Sequence, residues 1–579
     1  MTTTAIFRDF QQADFWRNKY RRGSEIEIRD ANLRHGDIRP FACPELVCDD
    51  VQELHTLYSL PDCECHGFTE ITDAVRGFCA EQHFYLDNGI LRQATESELC
   101  SGANPCRAGA PYSQSAPSVS ASCNDACDGV GVSYVITYVT QHAGIQVESA
   151  PSPASPIVPS NGDKPGVFVS WGSAPSGYCV VETRLYRVES TFEDGQDSIQ
   201  AQGAEFVLVR SFSGGGGGSF NDNISSSDTG YPLTTYEPMA FPAPNDLVGL
   251  ARTADGIAVA SKNRLYISVP GQPQFTFNSV VEIEDEIIAI RAINNTIFIW
   301  TDNKPVRVGY RISSGAPSID RQVVERRLPL KSIKSLSTYN GRIYFASEYG
   351  LYHWDLSGYG SDIRAVSSPS LITPEQWKNL NPESIVGVAY EFGYMFSSDA
   401  VDHSFMIEFG QDGTDTAVQT HIMPITYINP DVMGLDYDGH IIYRSGTDVY
   451  RWDYRMSDCG QFDIADHVIP PACKTVKCCP WYAKLYIDNE GKNRFSKMRV
   501  EFDERYGPIN LTFSLERFGA KAEIAAELEV IRVRGFSLPK FCSSQTFCAE
   551  LTGCSIMHEV RFATSNQELV NSSNNQVAG

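Results

Sequence analysis

The chain has 579 residues, 42% of them hydrophobic and 20% charged, with a formal net charge of −24. This length predicts three or four domains, and this composition is typical of folded chains. The negative charge excludes a large surface that grips nucleic-acid phosphates, because such binding needs Lys and Arg to displace counterions. We find no apolar run long enough for a membrane span and no leader-like segment in residues 1–20, so we expect folding in the cytoplasm of the producing cell.

The 17 cysteines are concentrated at two places. Nine lie between Cys43 and Cys127 and seven between Cys459 and Cys554, with Cys179 alone in the middle. Late disulfides and structural zinc are both open interpretations. Two groups approach a zinc-ligand pattern: Cys43, Cys48, Cys63, Cys65 and His66, and Cys473, Cys478 and Cys479. Neither has the paired C-x-x-C spacing of zinc sites, so we predict structural or disulfide cysteines and no metal or cofactor.

Residues 1–130 form the first predicted domain, an N-terminal helix followed by the Cys-rich region. In a helix, Phe7, Phe10 and Phe15 would lie near one face, with basic residues beside them. We therefore expect a terminal helix that docks on a neighbouring part of the protein. The segment from Ala31 to Cys127 mixes Cys, Asp, Pro and Gly with short apolar runs, and its pattern indicates no definite elements.

Residues 131–232 are predicted to form an immunoglobulin-like or fibronectin-III-like β-sandwich. In VSYVITYVT, Tyr134, Ile136 and Tyr138 alternate with Val135, Thr137 and Val139, as in a strand. GVFVSW, ETRLYRV and FVLVRSF are further short β runs separated by turn residues. Three prolines bar the ESAPSPASPIVP segment from a central strand. We interpret the glycine run SGGGGGS, residues 213–219, as a mobile loop or linker and not as a phosphate-binding loop.

Residues 233–456 repeat one hairpin pattern. The stretch YNGRIYFASEYGLYHWD, residues 339–355, has four relatives, and aligning the five copies gives separations of 40, 46, 52 and 47 residues. The aligned positions are Leu250, Ile290, Leu336, Val388 and Leu435. Turns such as Asn340–Gly341 suit positive φ, and this period is typical of propeller blades. A closing blade could take strands from a flanking region; a large β-sandwich with regular hairpins is the alternative.

The fold class that follows is mainly β and multidomain. We predict a β-propeller-like core of about five or six blades, an inserted immunoglobulin-like or fibronectin-III-like β-sandwich and a β-rich C-terminal region. This last region, residues 457–579, contains cysteines and alternating runs such as WYAKLYID and INLTFSLE.

Residues from about Gly131 to Asp355 resemble tailed-bacteriophage virion proteins. The likeness lies in TADGIAVASKNRLYISVPGQPQFTF, EIIAIRAINNTIFIWTDNKPVRVGYR and RLPLKSIKSLSTYNGRIYFASEYGLYHW, with the YVITYVT and ESAPSPAS segments upstream. A weaker likeness is found in WYAKLYIDNEGKNRFSKMRV. The proteins it resembles are tail-tube, hub or tail-nozzle components, best understood in short-tailed phages.

The resemblance implies a structural role and a set of partners. Several copies, six by analogy with the family, would form a ring below the portal and the adaptor, and genomic double-stranded DNA would leave through the middle without sequence-specific binding. Tail fibre or spike proteins would dock on its outer loops. The expected location is the virion tail, after assembly in the bacterial cytoplasm.

The candidate site residues are acidic. Glu282, Glu284 and Glu286 share one face at strand spacing, while Asp285 points the other way. A solvated edge explains this cluster; as a hypothesis, the face could line a DNA passage and repel phosphate. We predict no catalytic, cofactor-binding or metal-binding residue. The runs GQDGTD, residues 410–415, and DYDGH, residues 436–440, have some features of calcium loops but are interpreted as hairpin turns.

Two other functional classes stay open. A phage host-recognition protein, or adhesin, with carbohydrate-binding ability would suit the immunoglobulin-like segment and should expose an aromatic patch. A propeller-type glycan-degrading enzyme would need two carboxylates across a cleft, and the sequence cannot pair its acids. An enzyme is therefore the less favoured interpretation.

Overall fold

A computed structural model gives the fold of the chain, which divides into two compact units. The first unit comprises Met1–Thr69, Lys331–Asp355 and Asp362–Gly579, and the second comprises Glu70–Leu330 and Leu356–Ser361. The structure describes residues 3–6, 26–29, 31–32, 39–42, 44–49, 54–60, 67–68, 73–79, 81–102, 105–121, 130–161, 163–191, 205–235, 240–313, 316–324, 326–355, 363–366, 372–391, 393–408, 421–452, 478–479, 481–487, 497–502, 509–517, 520–530, 534–537, 546–553 and 557–563.

The N-terminal part of the first unit supplies short strands, most of which join sheets with distant residues, while β6 and β7 pair with each other. They are β1 (Thr3–Ile6), β2 (Ile26–Arg29), β3 (Ala31–Asn32), β4 (Arg39–Ala42), β5 (Glu45–Cys48), β6 (Thr56–Leu57) and β7 (Gly67–Phe68). The helix predicted around Phe7–Phe15 lies outside the described residues.

The second unit begins with a four-stranded antiparallel sheet that sequence patterning did not identify. Its strands, in spatial order, follow the chain: β8 (Ala74–Arg76), β9 (Gln82–Asp87), β10 (Ile90–Thr95) and β11 (Cys106–Arg107). Helix α1 (Glu96–Ser101) follows β10 and has a capping box, in which Thr95 and Glu98 satisfy each other's backbone N–H groups. Asn88 and Gly89 have positive φ and form the turn between β9 and β10.

The predicted sandwich follows as two packed sheets, which confirms that part of the fold class. One sheet has the order β12-β16-β19 and the other β14-β13-β17-β18, with β15 also paired to β13. Tyr134, Ile136 and Tyr138 point into the core between the sheets, as their alternation predicts. The strands are β12 (Ser118–Ala121), β13 (Val130–His142), β14 (Ile145–Glu148), β15 (Val158–Pro159), β16 (Val167–Trp171), β17 (Val180–Thr191), β18 (Val207–Ser213) and β19 (Gly218–Asp222).

The proline-rich segment runs beside β13 and bonds to it through serines spaced three residues apart. Ser149, Ser152 and Ser155 each donate a backbone N–H to a β13 carbonyl at 2.9 Å. Each serine Oγ also accepts a β13 backbone N–H at 3.0 Å, from Tyr138, Ile136 and Tyr134 respectively. The prolines of this segment have no N–H group, so the segment cannot pair with β13 in the ordinary way. The serine hydroxyls accept the buried N–H groups of β13 instead.

The glycine run lies inside the sandwich and connects β18 of one sheet to β19 of the other. Of the two interpretations, mobile loop or linker, the structure places the run in a loop within the sandwich and not in a linker between domains. A Cβ at Gly218 would lie 2.8 Å from the Trp171 ring, and one at Gly215 would lie 2.9 Å from the Val180 side chain. At Gly215 and Gly218 the chain therefore passes too close to packed side chains for a larger residue, whereas Gly214 and Gly216 have open space around them.

Two further meander sheets complete the second unit. The first has the order β20-β24-β23-β22-β21 and the second β25-β26-β27-β28. An edge strand of each sheet contacts an edge strand of the next, β8 with β21 and β21 with β25, as in successive propeller blades. The strands are β20 (Ala240–Phe241), β21 (Gly249–Arg252), β22 (Ile257–Ser261), β23 (Arg264–Ser268), β24 (Phe275–Glu282), β25 (Ile287–Ile293), β26 (Thr296–Thr301), β27 (Val306–Ser313) and β28 (Ala316–Val323).

The first unit contains three comparable sheets, β29 to β32, β33 to β36, and β37 to β39 with β5 as its outer strand. Here β29 contacts β33, and β33 contacts β37. The elements are β29 (Ser337–Tyr339), β30 (Arg342–Ser347), β31 (Gly350–Asp355), β32 (Ile363–Ala365), α2 (Pro374–Asn379), β33 (Val386–Tyr390), β34 (Gly393–Ser397), β35 (Ser404–Glu408), β36 (His421–Ile425), β37 (Val432–Leu435), β38 (Ile441–Ser445) and β39 (Asp448–Trp452).

The C-terminal region of the first unit is β-rich, as predicted. Its strands form sheets of order β2-β41-β46-β43-β44 and β1-β47-β42-β45, and β40 pairs with β4. Buried residues of both sheets share one hydrophobic core with residues of β33 to β39. The strands are β40 (Cys478–Cys479), β41 (Trp481–Ile487), β42 (Lys497–Phe502), β43 (Ile509–Arg517), β44 (Ala520–Val530), β45 (Arg534–Ser537), β46 (Thr546–Gly553) and β47 (Met557–Ala563).

The mainly β, propeller-like fold class is thus confirmed, with six blade-like sheets in the described residues, three in each unit. Of the five repeat positions, Leu250, Ile290, Val388 and Leu435 lie in edge strands of their sheets (β21, β25, β33 and β37), and Leu336 lies directly before β29. Asn294, Asn340, Gly341 and Gly439 have the positive φ values that the turn residues predict.

Candidate functional site

The three predicted channel acids lie in the connection from β24 to β25. Glu282, Glu284 and Glu286 are exposed and Ile283 is buried, so the predicted alternation is present. Glu282 ends β24, which lies toward the outer side of its sheet, and Glu286 directly precedes β25, the first strand of the next sheet. The structure therefore places the three acids together on a surface connection; their role in a channel stays a prediction.

Two of these acids have basic partners that the sequence did not reveal. Glu282 accepts a hydrogen bond from Arg264 of β23 at 3.0 Å, and Glu284 accepts one from Arg321 of β28 at 3.2 Å. Arg321 also donates to the Glu282 carbonyl at 3.2 Å. The ion pairs reduce the negative field of the segment, and Glu284 joins β28 to the connection before β25.

The DYDGH segment forms the predicted turn between β37 and β38. The Asp436 carboxylate accepts the His440 backbone N–H at 2.7 Å and lies 2.9 Å from His440 Nδ1. Asp436, Asp438 and His440 each place one ligand atom within 4.8 Å of the others, so these residues could hold a cation. The hydrogen bonds already engage the Asp436 carboxylate, which supports the turn interpretation. The other calcium-like run, residues 410–415, lies outside the described residues.

A cleft of about 170 Å³ lies beside this turn, within the first unit. Val47, Ser59 and Leu60 contribute to its wall, together with the turn and with Arg451 of β39. Arg451 forms an ion pair with Glu45 of β5 at 3.1 Å. Sequence patterning missed this cleft because its walls come from segments almost 400 residues apart that only the β5–β39 pairing brings together.

The sandwich contains a fully buried ion pair. Arg187 and Asp222 each have 0% of the side chain exposed, and Arg187 Nη1 lies 2.8 Å from Asp222 Oδ2. Tyr134 donates its hydroxyl to the same carboxylate oxygen at 2.8 Å. Burial, followed by the charge of Asp222, raises the pKa of Tyr134 well above its usual range. The network joins β13, β17 and β19, and its burial between two sheets indicates a structural role.

The outer face of the β12-β16-β19 sheet carries hydroxyl and amide groups around one aromatic ring. Phe168 is 48% exposed. Ser120 of β12 and Asn221 of β19 lie directly opposite it in the strand registers. Ser118 and Ser219 flank Ser170 in the next outward-facing row. This arrangement places one stacking surface between hydrogen-bonding groups.

Comparisons with known proteins give no family. No family model and no curated protein matches the chain. Solved structures that match include the extracellular domain of a hybrid two-component system from B. thetaiotaomicron, at 14% identity and TM-score 0.21, covering 55% of this chain and 38% of that one. An exo-β-1,3-galactanase from Phanerochaete chrysosporium matches at 9% identity and TM-score 0.21, covering 54% and 95%. The AfRom2 CNH domain matches at 7% identity and TM-score 0.25, covering 71% and 98%.

These TM-scores are too low to support any inference about function. Among the residues that the structure describes, no helix is both long and apolar enough to span a membrane.

Proposed function

We propose that the chain is a structural component of a tailed-phage tail, a nozzle or hub ring that forms part of the channel for DNA ejection. The observation that carries the proposal is the succession of six blade-like sheets, with a sandwich inserted between the first and second. The residues that carry the resemblance to such proteins, 131–355, form most of the sandwich, the second and third of these sheets and part of the fourth. The proposed mechanism is mechanical and electrostatic and assigns no catalytic residue.

Rigidity comes from the packing of the sheets. The largest fully buried side chains include Trp300, Trp354, Trp377, Trp452 and Trp481, so aromatic residues fill cores in both units. A net charge of −24 would let DNA move past without binding, since phosphates are repelled and no excess of Lys and Arg holds them. Glu282, Glu284 and Glu286 are the proposed contributors to that repulsion.

The proposed partners are further copies of the chain in a cyclic homo-oligomer, the adaptor, and tail fibre or spike proteins. Native mass spectrometry and negative-stain imaging of the purified full chain test the first of these. We expect a closed ring, with six copies as the family-based number. A chain that stays monomeric or forms only trimers over the accessible concentration range would contradict the ring.

A second candidate function, glycan binding by a host-recognition protein, is favoured by the face around Phe168. Aromatic rings stack on sugar rings, while serine and asparagine side chains can bond to hydroxyls. Binding of neutral polysaccharides to the full chain should then fall at least tenfold in Phe168→Ala. The Tyr349→Ala variant, which removes another half-exposed ring from the turn between β30 and β31, is the matched control. Equal binding by both variants would exclude this face as the site.

A further inference from the structure

The sandwich is attached to the β8–β11 sheet by a disulfide. Cys106 of β11 and Cys179, which directly precedes β17, are bonded with their Cα atoms 5.7 Å apart. Next to this bond, the Arg107 backbone N–H donates to the Gly177 carbonyl at 2.8 Å, and the Arg107 guanidinium lies 4.9 Å from the centre of the Tyr178 ring. We use the name mount for the contact region that these residues form together with the β13–β14 hairpin, α1 and Cys79.

A second contact of the mount involves the β13–β14 hairpin. His142 Nε2 lies 2.9 Å from Glu98 Oε2 of α1, and the Cys79 thiol donates to the Ala143 carbonyl at 3.4 Å. Glu98 is 37% exposed, and single polar contacts at such positions hold two parts together weakly. The non-covalent part of the mount therefore consists of a few separable contacts.

The sandwich has a hydrophobic core of its own. That core is formed by residues of β13, β16, β17 and β18 and does not include Cys106 or Cys179. Within the described residues, the chain enters the sandwich before β12 and leaves it after β19. The Cys106–Cys179 disulfide adds a covalent connection at the end of the sandwich that contacts α1 and β11.

We propose that the Cys106–Cys179 bond is a redox lock, which fixes the sandwich on the β8–β11 sheet only after the chain leaves a reducing compartment. Both cysteines are half-buried, so a small disulfide can reach them. One cysteine thiolate attacks a low-molecular-weight disulfide and releases one small thiol. The second cysteine thiolate then displaces the other small thiol and closes the protein disulfide. Two protein thiols are oxidised and one small disulfide is reduced to two thiols.

The reduced and the oxidised form of this cysteine pair would each have a use that does not depend on the proposed function of the protein. In the reduced chain the sandwich can reorient about the mount while the protein folds and assembles. In the oxidised chain the non-covalent contacts of the mount rarely separate, because the disulfide keeps the contacting groups close together at a high effective concentration. The free thiol of Cys79 lies in the same region and is not part of the bond.

Hydrogen exchange of the full chain tests the lock. In Cys106→Ser/Cys179→Ser, the amides of residues 141–146 and 177–180 should exchange at least tenfold faster than in the oxidised wild type. Amides of residues 134–138, in the sandwich core, should keep their protection. Ser120→Ala, on the exposed outer face of the β12-β16-β19 sheet, is the control and should behave as the wild type. The double variant leaves other disulfides intact, including those of Cys48 and Cys100.

A second measurement keeps the test decisive if the double variant folds poorly. The wild-type chain is equilibrated in glutathione buffers of increasing oxidised fraction, and the Cys106–Cys179 peptide is quantified without reduction. Protection of the mount should rise in step with that peptide. Unchanged protection while the bond forms would overturn the lock, and so would a disulfide that joins either cysteine to another residue.

Discussion

At the scale of single residues, the buried Arg187–Asp222 pair makes the sharpest prediction. Asp222→Ala would leave a guanidinium with no exposed surface and with only the partly exposed Glu189 carboxylate, 2.9 Å from its Nη2, as an ionic partner, which costs about 3 kcal/mol. Urea unfolding of the full chain, followed through the sandwich transition, measures this loss. The double variant Arg187→Met/Asp222→Leu should recover much of it because no charge stays buried. A loss below about 1 kcal/mol in Asp222→Ala would show that the pair is solvated.

The three serines that bond to β13, Ser149, Ser152 and Ser155, give a second prediction. In Ser152→Ala the Ile136 backbone N–H loses the Oγ that accepts it at 3.0 Å, and a buried unpaired donor costs about 1–3 kcal/mol. The exposed Ser120→Ala variant is the control and should change the free energy of unfolding by less than about 0.5 kcal/mol. Equal effects in the two variants would mean that water replaces the hydroxyl.

Some of these residue roles could be predicted and others could not. The alternation of β13 and the turn at Asn340–Gly341 follow from local chemistry, and the structure confirms both. The exposure of Glu282 and Glu284 also follows from period-two spacing. Their partners Arg264 and Arg321 do not, because each contact depends on how strands pair. The prolines indicated that residues 149–156 avoid a central strand. The role of the serine hydroxyls as hydrogen-bond acceptors is evident only from their position beside β13.

At the scale of elements, β5 makes the outer strand of the β37–β39 sheet although almost 400 residues separate them. Successive residues of an edge strand direct their N–H groups to opposite sides, so either Leu46→Pro or Val47→Pro must remove a bond to β39. In that variant, amides of Val449–Arg451 should exchange at least tenfold faster. Leu46→Ala is the control, because its side chain is 51% exposed. Unchanged exchange in both proline variants would exclude the pairing.

Helix α1 gives a pH prediction. Burial raises the pKa of Glu98, but hydrogen bonds from Thr95 and His142 outweigh it, and the pKa lies below its usual value of 4.5. A lowered folded pKa stabilises the fold above about pH 4.5, and this contribution is lost as the pH falls through the folded pKa. The stability difference between wild type and Glu98→Gln should therefore shrink as the pH falls below about 4.5. A difference that grows on acidification would contradict this.

The β8–β11 sheet shows what element prediction missed and why. The hairpin HFYLDNGILRQAT carries the Asn88–Gly89 turn signal between apolar runs, as the recognised repeats do. Its cysteine-rich surroundings obscured that signal. The contribution of β5 to a distant sheet had no local signal, since four residues of an edge strand resemble many short segments. Whether a segment forms a strand depends mainly on its local sequence, whereas the strand with which it pairs depends on the folded chain.

At the scale of the whole molecule, the proposed mechanism depends on the negative charge of the protein. Glu282→Lys/Glu284→Lys/Glu286→Lys should slow genome release from particles at least several-fold while leaving assembly intact, because a basic segment would hold DNA phosphates. The variant Glu205→Lys/Asp228→Lys/Asp320→Lys makes the same charge change at other exposed positions and is the control. Equal release kinetics in the two variants would show that the three glutamates do not line the channel.

The most direct test of the proposed role is a reconstruction of phage particles that carry this chain, at a resolution that traces it. We predict copies in rotational symmetry about the tail axis, below the adaptor, with a continuous passage for DNA through their centre. A tail that lacks the chain, or that holds it as isolated peripheral copies away from the axis, would contradict the account.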